Sequence, residues 1–422
     1  CFIPFLSLPQ ARQTVRALGL CDRIKNIYLL ATEKIPDEVE GCEMLMIDSP
    51  ASTATFRTIA LHADTAYTLL YTKYTAFEPG QFAFERLLAI AGDTNARKHY
   101  ADRSLLKNGA SQQAPVIDYQ KGSLRDDFDF GSLLFFRSSV LKQAVRAMDA
   151  DYRFAGLYAL RLRVSELAEL VHVNEYLYSE VETDIRKSGE KLFDYVDPKN
   201  RAVQIEMEAV CTAYLKRVGG YLAPDFEPVT FDAGGFEQEA SVIIPVRNRI
   251  RTIEDAIRSV LAQKTTFRFN LIIVDNHSTD GTSEAIGKYT ADGRVVHLVP
   301  ERSDLGIGGC WNVGVHHPAC GKFAVQLDSD DVYSGPDTLQ KIVDAFYEQN
   351  CAMVVGTYRM TDFKMNEIPP GIIDHREWTL ENGRNNALRI NGLGAPRAFY
   401  TPVLRRINLP NTSYGEDYAL GL

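Results

Sequence analysis

Few of the features that would assign this protein to a class at a glance are present. No apolar run approaches the roughly 18–20 residues of a membrane span. The apolar opening CFIPFLSLPQ is short and carries no basic n-region, so no secretory signal is read there. The seven cysteines, at 1, 21, 42, 211, 310, 320 and 351, show no CxxC and no paired spacing. That argues for free thiols in a cytoplasmic protein over disulfides or zinc. Positive charge is not in excess. The formal net charge is -9, so no nucleic-acid partner is expected, although a nucleotide ligand needs only a local site. Position 1 is not Met, the chain opens inside an apolar strand pattern, and it stops at Gly421-Leu422 within what reads as a helix; it is read as a fragment.

What the sequence does have is core. Apolar residues are 45% of 422, enough for two or three ordinary domains. Strand and helix patterns alternate, which predicts α/β layers. In the second half Ser241–Val246, Leu271–Val274, Arg294–Val299 and Lys322–Leu327 read as buried strands. Residues 252–263 place Ile253, Ala256, Ile257, Val260 and Leu261 on one helical face, with Thr252 and Asp255 as a capping box. In the first half Phe2–Phe5, Asn26–Leu30, Met44–Ile47 and Ala66–Tyr71 read as strands, and Ala11–Ala17 and about 80–92 as helices. Residues 201–218 read as an amphipathic helix. The stretch 224–237, with Pro, Gly and acidic residues, reads as a linker between domains at 1–223 and 238–422.

The two halves resemble each other. FAVQLDSDD (323–331) lies over YTLLYTKYT (67–75), and GEDYAL (415–420) over AGLYAL (155–160). Upstream, IIPV (243–246) lies over FIPF (2–5), and LIIVD (271–275) over IYLLA (27–31).

The chemistry is expected in the second half. Asp328-Ser329-Asp330-Asp331 follows a buried strand directly, so its carboxylates meet at the carboxyl end of the sheet, where open α/β sheets bind ligands. Oxygen ligands there suit Mg2+ or Mn2+ completed by phosphate oxygens and water. The plainer explanation is a solvated acidic turn. Asp275 ends another strand and opens the loop VDNHSTDGT (274–282), whose other residues suit ordinary turn and cap chemistry. Pro245-Val246-Arg247-Asn248 would edge the same crevice. Glu416-Asp417 opens a helix, where a helix dipole alone would also favour acids.

With these motifs in place, residues 241–422 resemble the family 2 glycosyltransferases, an inverting group with the GT-A fold. VIIPVRNR, VDNHSTDGT, LGIGGCWNVGV, QLDSDD, GLGAPRAFY and GEDYAL match in the family's order. The resemblance implies two GT-A-like domains, Rossmann-like with mixed, mostly parallel sheets and flanking helices, the second truncated at its C-terminus. It implies a catalytic base at Asp417 and a donor site from Pro245, Val246, Arg247, Asp275, Asn312 and Asp328. It further implies Mn2+ or Mg2+ on Asp328 and Asp330, and an acceptor region including Gly394 and Glu416. The implied donor is a nucleotide-sugar, UDP-linked, with a place in surface glycan assembly by family habit. The acceptor would be a glycan, a lipid-linked group or a protein, in cell-surface polysaccharide synthesis, with any membrane association peripheral and through the acceptor.

Physical chemistry agrees with that division of labour. Inverting transfer needs one base for the acceptor hydroxyl and an electrophile for the departing diphosphate on the opposite face. Arg247 stands where the family often has an aromatic residue, and Trp311 where an Arg commonly precedes Asn312. In the first half Thr72-Lys73-Tyr74, Ala31 and Leu157 stand where the second has its carboxylates, so a domain without metal or catalysis is expected there. A nucleotidyltransferase would show a Gly-rich first loop, which VRNRIRT lacks; a catalytically dead glycan-binding scaffold would not need the intact carboxylates. Gly306–Gly309 (GIGG) is expected to be a flexible loop over the donor, His316-His317 a satisfied or solvated pair, and Arg186–Lys191 a solvated face.

Overall fold

A computed structural model describes the chain except for positions 35–36, 95–97, 108, 182–197, 391–392, 395 and 422. The stretch Arg186–Lys191 therefore lies outside the described residues. By its internal contacts the chain divides into two compact units. One holds residues up to Leu222 with Leu388–Ile390, and the other most of residues 223–422.

The first unit contributes strands β1 (Phe2–Pro4), β2 (Tyr28–Ala31), β3 (Glu43–Met46), β4 (Tyr67–Tyr71), β5 (Phe77–Pro79), β6 (Lys98–Lys107), β7 (Ala110–Ala114), β8 (Leu133–Arg137) and β9 (Leu170–Val181). They form one sheet in the order β3-β2-β1-β4-β8-β6-β9-β5, with β7 on β6. The first four pair in parallel and β8 is antiparallel to β4.

The second unit has β10 (Ala240–Val246), β11 (Phe269–Asp275), β12 (Val295–Leu298), β13 (Phe323–Gln326), β14 (Met353–Val355), β15 (Tyr358–Thr361), β16 (Glu367–Ile373) and β17 (Arg397–Tyr400). Its sheet runs β12-β11-β10-β13-β17-β14, with β15 and β16 as a separate hairpin. Again the first four are parallel, and the next, β17, is antiparallel to β13. The resemblance of the halves is thus a shared topology. In both, the antiparallel strand leads straight into a helix, Ser138–Arg146 after β8 and Thr401–Ile407 after β17.

The second sheet shows why its strands read as unbroken apolar runs: both faces are covered. Val242, Ile244 and Val246 join one core with Leu271, Ile273 and Val325. The alternate residues Ile243, Ile272 and Val274 join another with Trp311, Val315 and Phe399. Helix Ile253–Leu261 seals the first core with Ile253, Ala256, Ile257 and Val260, all fully buried. Each of the buried Ile and Val side chains contributes about 1.5–3 kcal/mol. Helix Ile307–His316 seals the second, and a Cβ on Gly314 would come 2.6 Å from Ile243 Cγ2, so only glycine lets that helix lie so close.

Two expectations need correction and one needs detail. The capping box does not form. Thr252 sits at the N-cap with φ -126° and ψ -28°, outside the extended region a capping hydroxyl needs, and its Oγ1 is buried without a partner. Asp255 instead pairs with Arg258 at 2.8 Å. The GIGG segment is no loop: Gly306 is the N-cap and Ile307–Gly309 the first turn of helix Ile307–His316. Residues 224–237 carry no helix or strand, but Phe231 packs edge-on against Phe323, Tyr347 and Tyr400, so this stretch is held on the second unit's core.

The first unit also buries an unusual cation. Lys98, 1% exposed at the start of β6, places Nζ 3.6 Å from the centroid of Phe130 and 5.7 Å from that of Phe136. No carboxylate pairs with it among the described residues. Burial first, and the nearby Arg161 charge second, hold its pKa well below the ordinary lysine value. Folding therefore disfavours the charged form. That cost is complete below the folded-state pKa and disappears as pH rises past the ordinary lysine value. Lys98→Met is expected to raise the melting temperature at neutral pH, by about 2–4 °C per kcal/mol relieved. The advantage should shrink towards pH 10, as scanning calorimetry across that range would show.

Candidate active site

The carboxyl ends of β10, β11 and β13 lie side by side, because β10 pairs in parallel with both neighbours; Val246 sits opposite Asp275, and Ile243 opposite Gln326. Pro245 and Val246 are interior to the sheet. They shape this edge, and Arg247 is its first exposed side chain.

Two loops leaving the edge are knitted together by side chains. Asn248 Oδ1 accepts from Thr279 N at 2.8 Å, and Asn248 N donates to Ser278 Oγ at 2.9 Å. Arg249 N donates to Thr282 Oγ1 at 2.9 Å, and Ile250 N to Asp280 Oδ2 at 3.1 Å. The turn chemistry read in 276–282 is real, and its product is a rigid rim. Within it Asp275 is fully buried. It accepts from Ser278 N at 3.0 Å and from Ser283 Oγ, and His297 Nε2 lies 3.5 Å away. Burial alone would raise its pKa; the hydrogen bonds from Ser283 and Ser278 prevail and hold it below the usual carboxylate range.

A second group forms beyond β13. Asp328 is half-buried. Burial pushes its carboxyl up, the charges of Asp330 and Asp417 push the same way, and Arg397 and Arg249 oppose them. Crowding by the surrounding protein, with the charges of Asp328 and Asp330, raises Asp331 to about 7. Burial likewise raises Glu416, which feels Asp417, Arg397 and Asp328. The structure thus brings Asp328, Asp330, Asp331, Glu416 and Asp417 into one electrostatic cluster, answered by two guanidiniums. Arg249 Nε stands 3.7 Å from Asp330 Oδ2 and links this cluster to the knitted rim. The excess of negative charge is what a bound cation would relieve. Among the described residues no third His, Cys, Asp or Glu completes a set with Asp328 and Asp330 whose ligand atoms all lie within 4.8 Å of one another. A pair of carboxylates with open positions suits a hard cation that keeps water and takes phosphate oxygens.

Asp417 opens helix Glu416–Gly421, a quarter exposed, with Oδ2 3.1 Å from Arg397 Nη1 and Oδ1 2.8 Å from Tyr418 N. Its approach loop is clamped to the start of helix Ile307–His316. Gly308 N donates to Thr412 O at 3.1 Å and Gly306 N to Asn411 Oδ1 at 2.8 Å. A Cβ on Gly306, Gly308 or Gly309 would stand 2.4, 2.0 or 2.2 Å from atoms of that loop. The glycines are a socket for the segment that leads to Asp417.

Asn312, expected at the donor, is spent elsewhere. Its Nδ2 donates to Leu409 O at 2.7 Å and its Oδ1 accepts from Leu409 N at 3.0 Å, fixing the same segment. Trp311 is core, 1% exposed. Gly394 makes room for Tyr358, whose ring carbon would be 2.8 Å from a Cβ there. His316 is satisfied by Asn408 Oδ1 at 2.6 Å, and His317 Nδ1 accepts from Ala319 N at 3.2 Å. Sequence reasoning missed Arg397, Arg249, Ser283 and His297. For Arg397 the signal was a lone charge opening the apolar strand RAFY.

The first sheet ends differently. After β4, Thr72 N donates to Ser132 O at 2.8 Å. Lys73 Nζ lies 2.7 Å from Oε1 of the fully buried Glu180, which also takes Arg103 Nε at 3.0 Å and Ser132 Oγ. Arg103 reaches Asp129 at 2.9 Å. Ala31 is buried, and Leu157 packs on the hydrophobic core. Two cations and two anions close the edge on itself.

An acidic pair after a central parallel strand, an engaged Asp at the neighbouring strand end and a third carboxylate on helix Glu416–Gly421 thus lie on a sheet of the GT-A kind in the second unit. Comparison with known proteins adds that residues 241–406, within this unit, match the model of Glycosyl transferase family 2. The putative teichuronic acid biosynthesis glycosyltransferase TuaG of Bacillus subtilis is 33% identical over 120 residues, 28% of this chain and 46% of that protein. An uncharacterized glycosyltransferase of Rickettsia conorii is 38% identical over 97 residues, 23% of this chain and 15% of that one. The chain thus spans less than half the length of these relatives. Among solved structures, glucosyl-3-phosphoglycerate synthase from Mycobacterium tuberculosis with UDP is 23% identical, covering 44% of this chain and 64% of that one at a TM-score of 0.31.

The glycine socket has a direct test. Gly308→Ala is expected to destabilise the second unit by about 1–3 kcal/mol through overpacking. Gly287→Ala, in a helix with nothing within 4 Å of the new methyl, should be neutral or stabilising. Urea unfolding followed by tryptophan fluorescence compares them, since both tryptophans, Trp311 and Trp378, lie in this unit.

Proposed function

We propose that the second unit transfers a sugar from a nucleotide-sugar, UDP-linked in the first instance, to an acceptor hydroxyl with inversion, in the assembly of a cell-surface glycan or polysaccharide. The observation that carries this is the gathering of Asp328, Asp330 and Asp417 at one end of the sheet. The teichuronic acid role in the name of the Bacillus subtilis relative supports the glycan part.

On this reading Asp275, with Arg247 at the neighbouring strand end, faces the nucleotide. Asp328 and Asp330 hold Mn2+ or Mg2+, whose chemistry when bound is to neutralise charge on the diphosphate. Asp417 accepts the proton of the acceptor hydroxyl as its oxygen forms a bond to the anomeric carbon. The bond from that carbon to the diphosphate breaks on the opposite face, and the diphosphate leaves with the electron pair. Attack and departure on opposite faces give inversion. Asp417 has one oxygen engaged by Arg397 and the other by Tyr418 N, so its direction is set before the acceptor arrives.

By the same reading the first unit is a GT-A-like domain without metal binding or catalysis, serving as a scaffold or as an acceptor or pairing surface. Supporting this, the place of its cation is filled by the Lys73 ammonium on Glu180.

Two measurements test these assignments. With manganese and a panel of nucleotide-sugars, nucleotide release should appear with a UDP-sugar and fall by about 10²–10⁴-fold in Asp417→Asn while donor binding survives. Retained turnover in that variant removes Asp417 as the base. Calorimetric titration of UDP with manganese into the Asp328→Ala/Asp330→Ala double variant should show no saturable binding. A surviving site there would contradict the reading of the first unit.

A further inference from the structure

Arg397 does more than neutralise. It opens β17, is 7% exposed, and divides its guanidinium three ways. Nε donates to Gln326 Oε1 at 2.7 Å, and Nη1 donates to Leu393 O at 2.8 Å and to Asp417 Oδ2 at 3.1 Å. Gln326 is itself buried, 4% exposed, and is the last residue of β13, two before Asp328. Because Val325 pairs with Ala398, Gln326 and Arg397 follow as facing residues of the antiparallel pair. One rigid planar fork therefore joins the strand that delivers Asp328 to the helix that delivers Asp417.

We infer that Arg397 is a positioning residue that fixes Asp417 relative to Asp328, so that the acceptor oxygen is deprotonated in line with the departing diphosphate. This rests on the transfer reading above. The geometry explains why an arginine is needed. A lysine ammonium is a compact charge on a flexible stem and does not reproduce a planar fork shared among an amide oxygen, a main-chain carbonyl and a carboxylate. Without the fork, Asp417 Oδ2 loses the hydrogen bond from Arg397 Nη1, and Gln326 Oε1 loses the one from Arg397 Nε. Arg397 touches the reacting groups only through its hydrogen bond to Asp417 Oδ2; towards Asp328 it acts through Gln326, two residues before it on the same strand.

The test uses the whole chain with Arg397→Met and Arg397→Lys. A displacement of about 1 Å in a catalytic group can cost around 10²-fold in rate. Arg397→Met should therefore lose about 10²-fold in kcat, a larger effect than any change in the Kd for UDP with manganese, which is set by Asp275, Asp328 and Asp330. Arg397→Lys should recover only part of kcat, and added guanidinium should partly rescue Arg397→Met. Independently of turnover, amide hydrogen exchange in the peptide spanning 415–421 should quicken in both variants, because the carboxylate to which Tyr418 N donates would lose the Arg397 hydrogen bond. Wild-type kcat in Arg397→Met, or unchanged exchange in 415–421 in both variants, overturns the inference. Absence of turnover in the unaltered protein with every nucleotide-sugar would instead defeat the transfer reading, and the exchange measurement would still decide whether Arg397 fixes Asp417. If Arg397→Met does not fold, kcat and exchange in Arg397→Lys decide alone: both unchanged overturns the positioning role.

Discussion

The parallel pairing of β10 with β11 on one side and β13 on the other is the constraint on which the second unit hangs. Parallel strands end on the same edge, so three segments far apart in sequence deliver Arg247, Asp275 and Asp328 to one line. The pairing is held from both faces by the cores that contain Val242 and Ile243 respectively. Antiparallel β17 then brings Arg397 against Gln326, and the helix beyond carries Asp417 back to the edge. Every polar contact of the site is local to this frame. Hydrophobic burial sets the frame and hydrogen bonds of about 1 kcal/mol each set the fine geometry.

The strands and their terminal carboxylates were legible because each signal is local. SVIIPV and LIIV are apolar throughout since both faces of the sheet are covered, and an Asp directly after such a run stands out. The failures share a different cause. Gly306, Gly308 and Gly309 resemble a loop until Pro410–Thr412 is placed against them, about a hundred positions later in the chain. Asn312 reads as a ligand-facing amide until Leu409 takes both of its hydrogen-bonding atoms. Arg397 is one charge in an apolar strand until Gln326 and Asp417 are seen beside it. In each case the residue's task is set by a partner distant in sequence, and no periodicity encodes that. The capping box failed for a local reason, since the backbone at Thr252 lies outside the region that lets the hydroxyl turn back.

The two units make a controlled comparison within one chain. They share strand order, sense and the helix after the antiparallel strand, yet they resolve the charge at the sheet edge in opposite ways. Arg103 and Glu180 make the first edge neutral by itself, with Lys73 and Asp129 completing the balance. In the second, five carboxylates meet two arginines, and both Asp328 and Asp331 are pushed upward in pKa by burial first and by neighbouring carboxylates second. A carboxylate that resists ionisation is a measure of how much a cation would be welcome there.

The knitted loops at 247–250 and 276–282 carry one further implication. Four of their bonds join a main-chain N–H to a side-chain oxygen, and those oxygens belong to Asn248, Ser278, Asp280 and Thr282. The rim therefore owes its shape to the identities of four short polar residues, and the loop backbones follow. Small polar exchanges at these four positions would reshape this rim without touching a strand, Asp275 or Asp328.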